Sequence, residues 1–443
     1  MQKKDFKEIL VKNKFYLLLS IFFLVVNCSL TGKSSFWSDS EKIELQKKIK
    51  ITEVFVEEKD IGEEFNSNIK IVLKNEYNNE NFINNLNNNG QLNYNGDLSK
   101  VSKFKFPKIK DFNKYEPSIS FDDKNIIFFG KKGEILKFNE TSKLIWKNNY
   151  YTKREKKLDP ILFFASNKDT LIVADNIAKY YAVNIKTGEL KWTKHNTSSF
   201  NSQIKIYKDK FFIVDAQNIL RCFSIKDGNE LWNIKTDQSL IKSQKKLSLI
   251  IIGANIFFNN SIGDISAVSI NDEKLIWQVP TQNNNIYEDS FFLKTSDLVS
   301  DKKSIIFSNN KNELYSLDSS TGILNWKQKV SASIRPTLID NLIFTVSEKG
   351  FFIIIDKNNG NLIRATNVFN QIKNKKNKIK PVGFVVGKNN IYLTTNHGRL
   401  IIADIKSGKT LDVLKIDNEK ISRPFILSKN LFIIKQNSIL RLN

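Results

Sequence analysis

Two histidines, two cysteines and a scatter of carboxylates are all the sequence offers to covalent or metal chemistry. His195 and His397 are far apart, and no His, Cys, Asp and Glu cluster has metal-ligand spacing. The carboxylates fall singly at turn positions, where they serve backbone hydrogen bonds; they do not form a paired acid and base. No glycine-rich phosphate loop and no Gly-x-Ser-x-Gly elbow occurs. His397 precedes Gly398 in a hairpin turn and reads as a surface position. Cys222 lies mid-strand and reads as a small buried apolar residue. Trp146, Trp192, Trp232, Trp277 and Trp326 have flat faces that could stack a ligand, but their equivalent placement favours packing. The residues therefore give no catalytic, cofactor-binding or metal-binding set.

The elements that carry these residues are repeated. Gly188, Gly228 and Gly322 precede Trp192, Trp232 and Trp326 by four residues each. Ser142 and Glu273 hold the same place before Trp146 and Trp277, while Gly360 and Gly408 precede Arg364 and Asp412. Successive anchors are 46, 40, 45, 49, 38 and 48 residues apart. Six residues before the turn stands a small or apolar residue: Leu136, Ala182, Cys222, Ala267, Ser316, Ile354 and Ile402. Asn184, Asp318, Asp356 and Asp404 are placed to bond the backbone of the coming turn. Glycine at the turn admits positive φ.

Each unit holds about four short strands within a ~40–50 residue period, which is the signature of a propeller blade. No long helical periodicity follows residue 50. A last fragment, 421–443, opens with Arg423-Pro424 as another unit opens with Arg335-Pro336, and has room for three strands. Residues 101–106 can supply its missing outer strand, so the ends of the chain close the ring. The expectation is an all-β fold, an eight-bladed propeller of four-stranded antiparallel blades over 101–443. Separate small β-domains are the alternative, and units this short cannot each bury a core.

Residues 1–28 read as a secretory signal, with Lys3, Lys4, Lys7, Lys12 and Lys14 ahead of an apolar run from Phe15 to Val26. That run is short for a membrane span. Residues 29–100 read as a polar tether followed by an irregular segment, with 11 Asn among residues 75–95. The net charge of +23 suits an anionic lipid, a glycan or an acidic protein surface, and part of it reflects a composition rich in Lys, Asn, Ile and Phe. No nucleic-acid reader motif appears. Arg335, Arg399 and Arg423 follow or precede short strands and are candidate partner contacts on accessible loop tips.

The pattern Ala-x-Asp-x-x-Thr-Gly-x-x-x-Trp, best met at Ala182–Trp192 and Ser316–Trp326, resembles the repeat of the pyrroloquinoline-quinone (PQQ)-like propellers over residues 101 to 443. One branch of that fold, the quinoprotein dehydrogenases, binds PQQ and calcium, with adjacent cysteines and a calcium carboxylate set that cannot be placed here. The other is the BamB family of outer-membrane β-barrel assembly lipoproteins, and length, signal and blade count resemble it. Val25-Val26-Asn27-Cys28 resembles a lipobox, with Asn27 where a small residue is usual. This implies lipidation (palmitate) at Cys28; ordinary cleavage nearby or an uncleaved anchor are the other outcomes. The resemblance implies a scaffold without cofactor on the periplasmic face of the outer membrane. Its implied partners are the barrel-assembly protein, other assembly lipoproteins and unfolded outer-membrane proteins, with no nucleic acid. A PQQ- and calcium-dependent dehydrogenase and an envelope polysaccharide-binding module are the alternatives.

Overall fold

In a computed structural model the described residues are 71, 73, 94, 96–109, 112, 118–237, 245–281, 295–309, 312–372 and 379–443. The chain divides into two units, 1–59 and 60–443, and every described residue belongs to the second. The expected signal peptide, Cys28 and most of the Asn-rich segment lie outside the described residues.

Eight four-stranded antiparallel sheets form a propeller. In the second blade the strands are Leu162–Ser166, Thr170–Asp175, Lys179–Asn184 and Leu190–His195, numbered first to fourth from the axis outward. Seven blades run in chain order over 120–149, 162–195, 205–235, 249–279, 299–329, 337–367 and 381–415. The eighth combines Phe425–Leu427, Asn430–Lys435 and Ser438–Leu442 with Lys100–Lys105 as its outer strand. Phe104 pairs with Ile439 and Lys105 with Ser438, so the first strand closes on the last. Two single-turn 3-10 helices, Lys131–Gly133 and Glu155–Leu158, are the only helical segments among the described residues.

Burial explains the apolar text. A middle strand is covered on both faces by neighbouring blades, so it reads as an unbroken apolar run and does not alternate. Thr170–Asp175 is buried at every position, whereas the outer strand Leu190–His195 is exposed or half-buried throughout. The core is divided into wedges between blades. One joins Phe212, Val214 and Cys222 of the third blade to Leu249, Ile256 and Phe258 of the fourth. Cys222 is fully buried there, and burial pushes its thiol up to about 12.

The first blade departs from the expected alignment. Its turn is one residue shorter: Ser142 N–H donates to Asn139 O across three residues, where Gly188 N–H donates to Asn184 O across four. Lys137, not Leu136, therefore stands opposite Trp146, as Ala182 stands opposite Trp192. The Lys137 side chain is 3 % exposed. Its ammonium donates to Asp122 Oδ2 at 2.6 Å and to Ile185 O of the second blade at 2.8 Å.

Contact with the propeller begins before residue 101. Ile71 is buried against Ile334 and Phe384, and the Tyr94 ring meets Tyr392 edge-on at 4.8 Å.

Candidate functional site

The turn glycines have positive φ, from 69° at Gly228 and Gly408 to 75° at Gly188 and Gly360. Their contact is with the preceding blade. A Cβ on Gly228 would stand 2.6 Å from the ring of Trp192, and one on Gly360 would stand 2.6 Å from Trp326. Gly188 faces Trp146, Gly322 faces Trp277, and Gly408 faces Thr366. Each ring also donates its indole N–H across the gap: Trp146 to Ile185 O at 3.3 Å, Trp192 to Ile225 O at 2.9 Å, Trp277 to Ser319 O at 3.3 Å and Trp326 to Lys357 O at 2.8 Å. Trp232 is the exception, with a buried and unsatisfied Nε1. The equivalent turn of the fourth blade carries Glu273 in place of glycine, at φ 57°. These residues link one blade to the next.

The three arginines are not freely accessible tips. All are half-buried. Arg399 begins a third strand and donates to the carbonyls of His397 and Asp417, at 3.4 and 3.2 Å. His397 bonds Asn396 Oδ1 at 2.8 Å, and His195 meets Glu155 Oε1 at 3.2 Å. Arg335 and Arg423 stand two residues ahead of the axial strands Thr337–Ile339 and Phe425–Leu427. Because the axial strands all run the same way, their starts gather at one mouth of the axis.

Residues that the sequence reading missed gather there as well: Asp297, ahead of Val299–Ser300; Lys245 and Lys246, ahead of Leu249–Ile252; and Lys205, which starts Lys205–Tyr207. Arg423 Nη1 lies 3.1 Å from Asp297 Oδ2. Lys245 Nζ donates to the carbonyls of Thr295 and Ser333. Burial pushes the Asp297 carboxyl up, but the charges of Arg423, Lys245, Arg335 and Lys246 outweigh it and hold that carboxyl well below its usual range. Burial brings the Arg335 guanidinium down to about 10 against the pull of Asp297. Burial, then the charges of Arg335 and Lys246, bring Lys205 down to about 7. The shared Arg-Pro pairs at 335–336 and 423–424 carried a signal for this register; the lysines carried none.

The described residues at this mouth are mainly basic, a poor ligand set for calcium. Among the described residues Lys205, Lys245, Lys246, Arg335 and Arg423 act on the Asp297 carboxylate or on one another, and no group of three or more His, Cys, Asp or Glu able to hold a metal occurs. Cys222 is far along a strand of the third blade, with no cysteine beside it.

Ring, blade number and repeat define the class: an eight-bladed PQQ-like propeller. The family profile described as outer membrane protein assembly factor BamB matches residues 131–366, and the chain belongs to that family. BamB of Moranella endobia is 21 % identical over 257 residues, which are 57 % of this chain and 64 % of that protein. The crystal structure of BamB from Moraxella catarrhalis superposes with a TM-score of 0.64 at 13 % identity, covering 78 % of this chain and 99 % of that one. A quinohemoprotein alcohol dehydrogenase from Comamonas testosteroni gives 0.59 at 10 % identity, with 82 % and 81 % covered. At such identities the structural likenesses speak for the fold alone.

Proposed function

We propose that the chain is a non-enzymatic scaffold of outer-membrane β-barrel assembly. It docks on the barrel-assembly protein beside other assembly lipoproteins, held at the periplasmic face of the outer membrane by lipid on Cys28. The observation that carries this reading is the family match across residues 131–366. The outer strands suit the work. Each pairs on one side only. Leu144, Leu190, Leu275 and Leu324, equivalent by position, are 42 to 46 % exposed on them. An extended segment of an unfolded outer-membrane protein could add there as a further strand, with main-chain bonds for affinity and apolar contacts beside them.

Affinity isolation from native membranes in mild detergent tests the docking. The barrel-assembly protein should co-purify, and recovery without any assembly subunit would count decisively against the scaffold. Fractionation tests the anchor: Cys28→Ala should move the chain from the membrane to the soluble periplasm. The dehydrogenase alternative predicts dye-linked alcohol or sugar oxidation when PQQ and calcium are added.

A further inference from the structure

The gap between the seventh and eighth blades supports an inference that stands apart from the assembly reading. In the first, fifth and sixth blades the residue two places after the anchor bonds across the outer part of the gap to the turn of the next blade. Asn148 Nδ2 donates to Gly188 O at 2.9 Å, Gln328 Nε2 to Gly360 O at 3.0 Å and Thr366 Oγ1 to Ser407 O at 3.0 Å. In the seventh blade that place holds Leu414, and the anchor is Asp412 in place of a tryptophan. The eighth blade offers no such turn, because its outer strand Lys100–Lys105 does not follow Ser438–Leu442 in the chain. The gap stays open as a cleft of about 310 Å³, at the lower end of the range of small-molecule sites.

Leu414 and Ile416 line it from the seventh blade, and Leu98, Leu440 and Leu442 from the eighth. Lys100, Lys103 and Lys415 stand around this apolar floor. Lys103 pairs with Leu440 and Lys100 with Leu442, so both stems rise from the face that carries the leucines. The three lysines are exposed and have no hydrogen-bond or ion-pair partner among the described residues. Lys435, the other lysine of the lining, meets Asp417 Oδ2 at 2.7 Å. The lining side chains are Leu, Ile or Lys and offer no hydrogen-bond acceptor. The N–H groups of a peptide would meet no side-chain acceptor there, whereas a chain of methylenes needs none.

We propose that this cleft binds a long-chain carboxylate. Its aliphatic chain lies on Leu98, Leu414, Ile416, Leu440 and Leu442, and its carboxylate meets the ammonium groups of Lys100, Lys103 and Lys415. The volume suits one chain and not the two of a phospholipid.

Photolabelling of the full chain in phosphatidylcholine nanodiscs tests the site. The probe is dodecanoate with a diazirine at the far end of its chain, and mass spectrometry locates the adducts. Saturable labelling is expected within residues 98–103, 410–416 or 440–442, displaced by excess dodecanoate and poorly by dodecanol. Lys100→Gln, Lys103→Gln and Lys415→Gln together should lower it about fivefold or more, as loss of three exposed ion pairs allows. Leu414→Trp, which fills the cleft and keeps the charges, should abolish it and guards against a triple variant that fails to fold. Lys235→Gln, on the outer strand of the third blade, should leave it unchanged. Labelling spread without saturation over all the outer strands, equal displacement by dodecanol, or equal loss in Lys235→Gln would overturn the proposal. So would labelling abolished by phosphatidylglycerol in the nanodiscs or by an acidic peptide but not by dodecanoate, since the cleft would then belong to a two-chain lipid or to a protein segment.

Discussion

Lys205 starts an axial strand whose closest charges come from other blades, and its ammonium is brought from 10.5 down to about 7 by burial and by Arg335 and Lys246, with Asp297 opposing. The consequence for stability has a definite sign. Between pH 7 and 10.5 the unfolded chain holds a proton that the folded chain has released, so folding gains as pH rises across that window. Below it, the cost of a charged Lys205 is present in full. Lys205→Met should therefore raise the midpoint of thermal unfolding clearly at pH 6 and much less at pH 9.5. An equal gain at both would show that the ammonium is not displaced from its ordinary range. None of this was legible in the sequence, where Lys205 is one of 69 basic residues and its charged neighbours are at least 40 positions away.

At the scale of the blade, the four-residue spacing of glycine and tryptophan marks the repeat, yet the contact it serves joins one blade to the next. Trp192 covers Gly228, not Gly188. Periodicity reveals equivalent positions but not which copies touch, because touching depends on how the sheets are stacked. The short turn of the first blade was also hidden: counting from Trp146 selects Leu136, and only the register places Lys137 there. Two glycines separate packing from backbone strain. Gly228→Ala and Gly253→Ala both put Cβ on a positive-φ residue, at 69° and 59°. Only the first meets a ring; nothing lies within 4 Å of the second. Gly253→Ala should cost about 1 kcal/mol from backbone conformation alone. Gly228→Ala should cost about 1–3 kcal/mol more, because the ring must move. Denaturant unfolding of the two variants measures the difference, and equal costs would mean that the tryptophan does not brace the next blade.

For the molecule as a whole, the sequence carried the ring and its closure, since a last unit with three strands asks for a fourth from the other end of the chain. The axial mouth was not legible, because its charged residues are spread from 205 to 423 and meet only when the eight sheets close. Closure also decides which chemistry is available. It gathers basic side chains from several blades at one end of the axis and leaves a rim of outer strands with one open edge each. The proposed scaffold works by binding, not by catalysis. The account turns on that distinction, and the most direct measurement is calorimetric titration of the purified full chain with the periplasmic domains of the barrel-assembly protein from the same cells. Saturable binding near one to one is predicted, with no dye-linked oxidation when PQQ and calcium are added. Absence of binding, or quinone-dependent turnover, would contradict it.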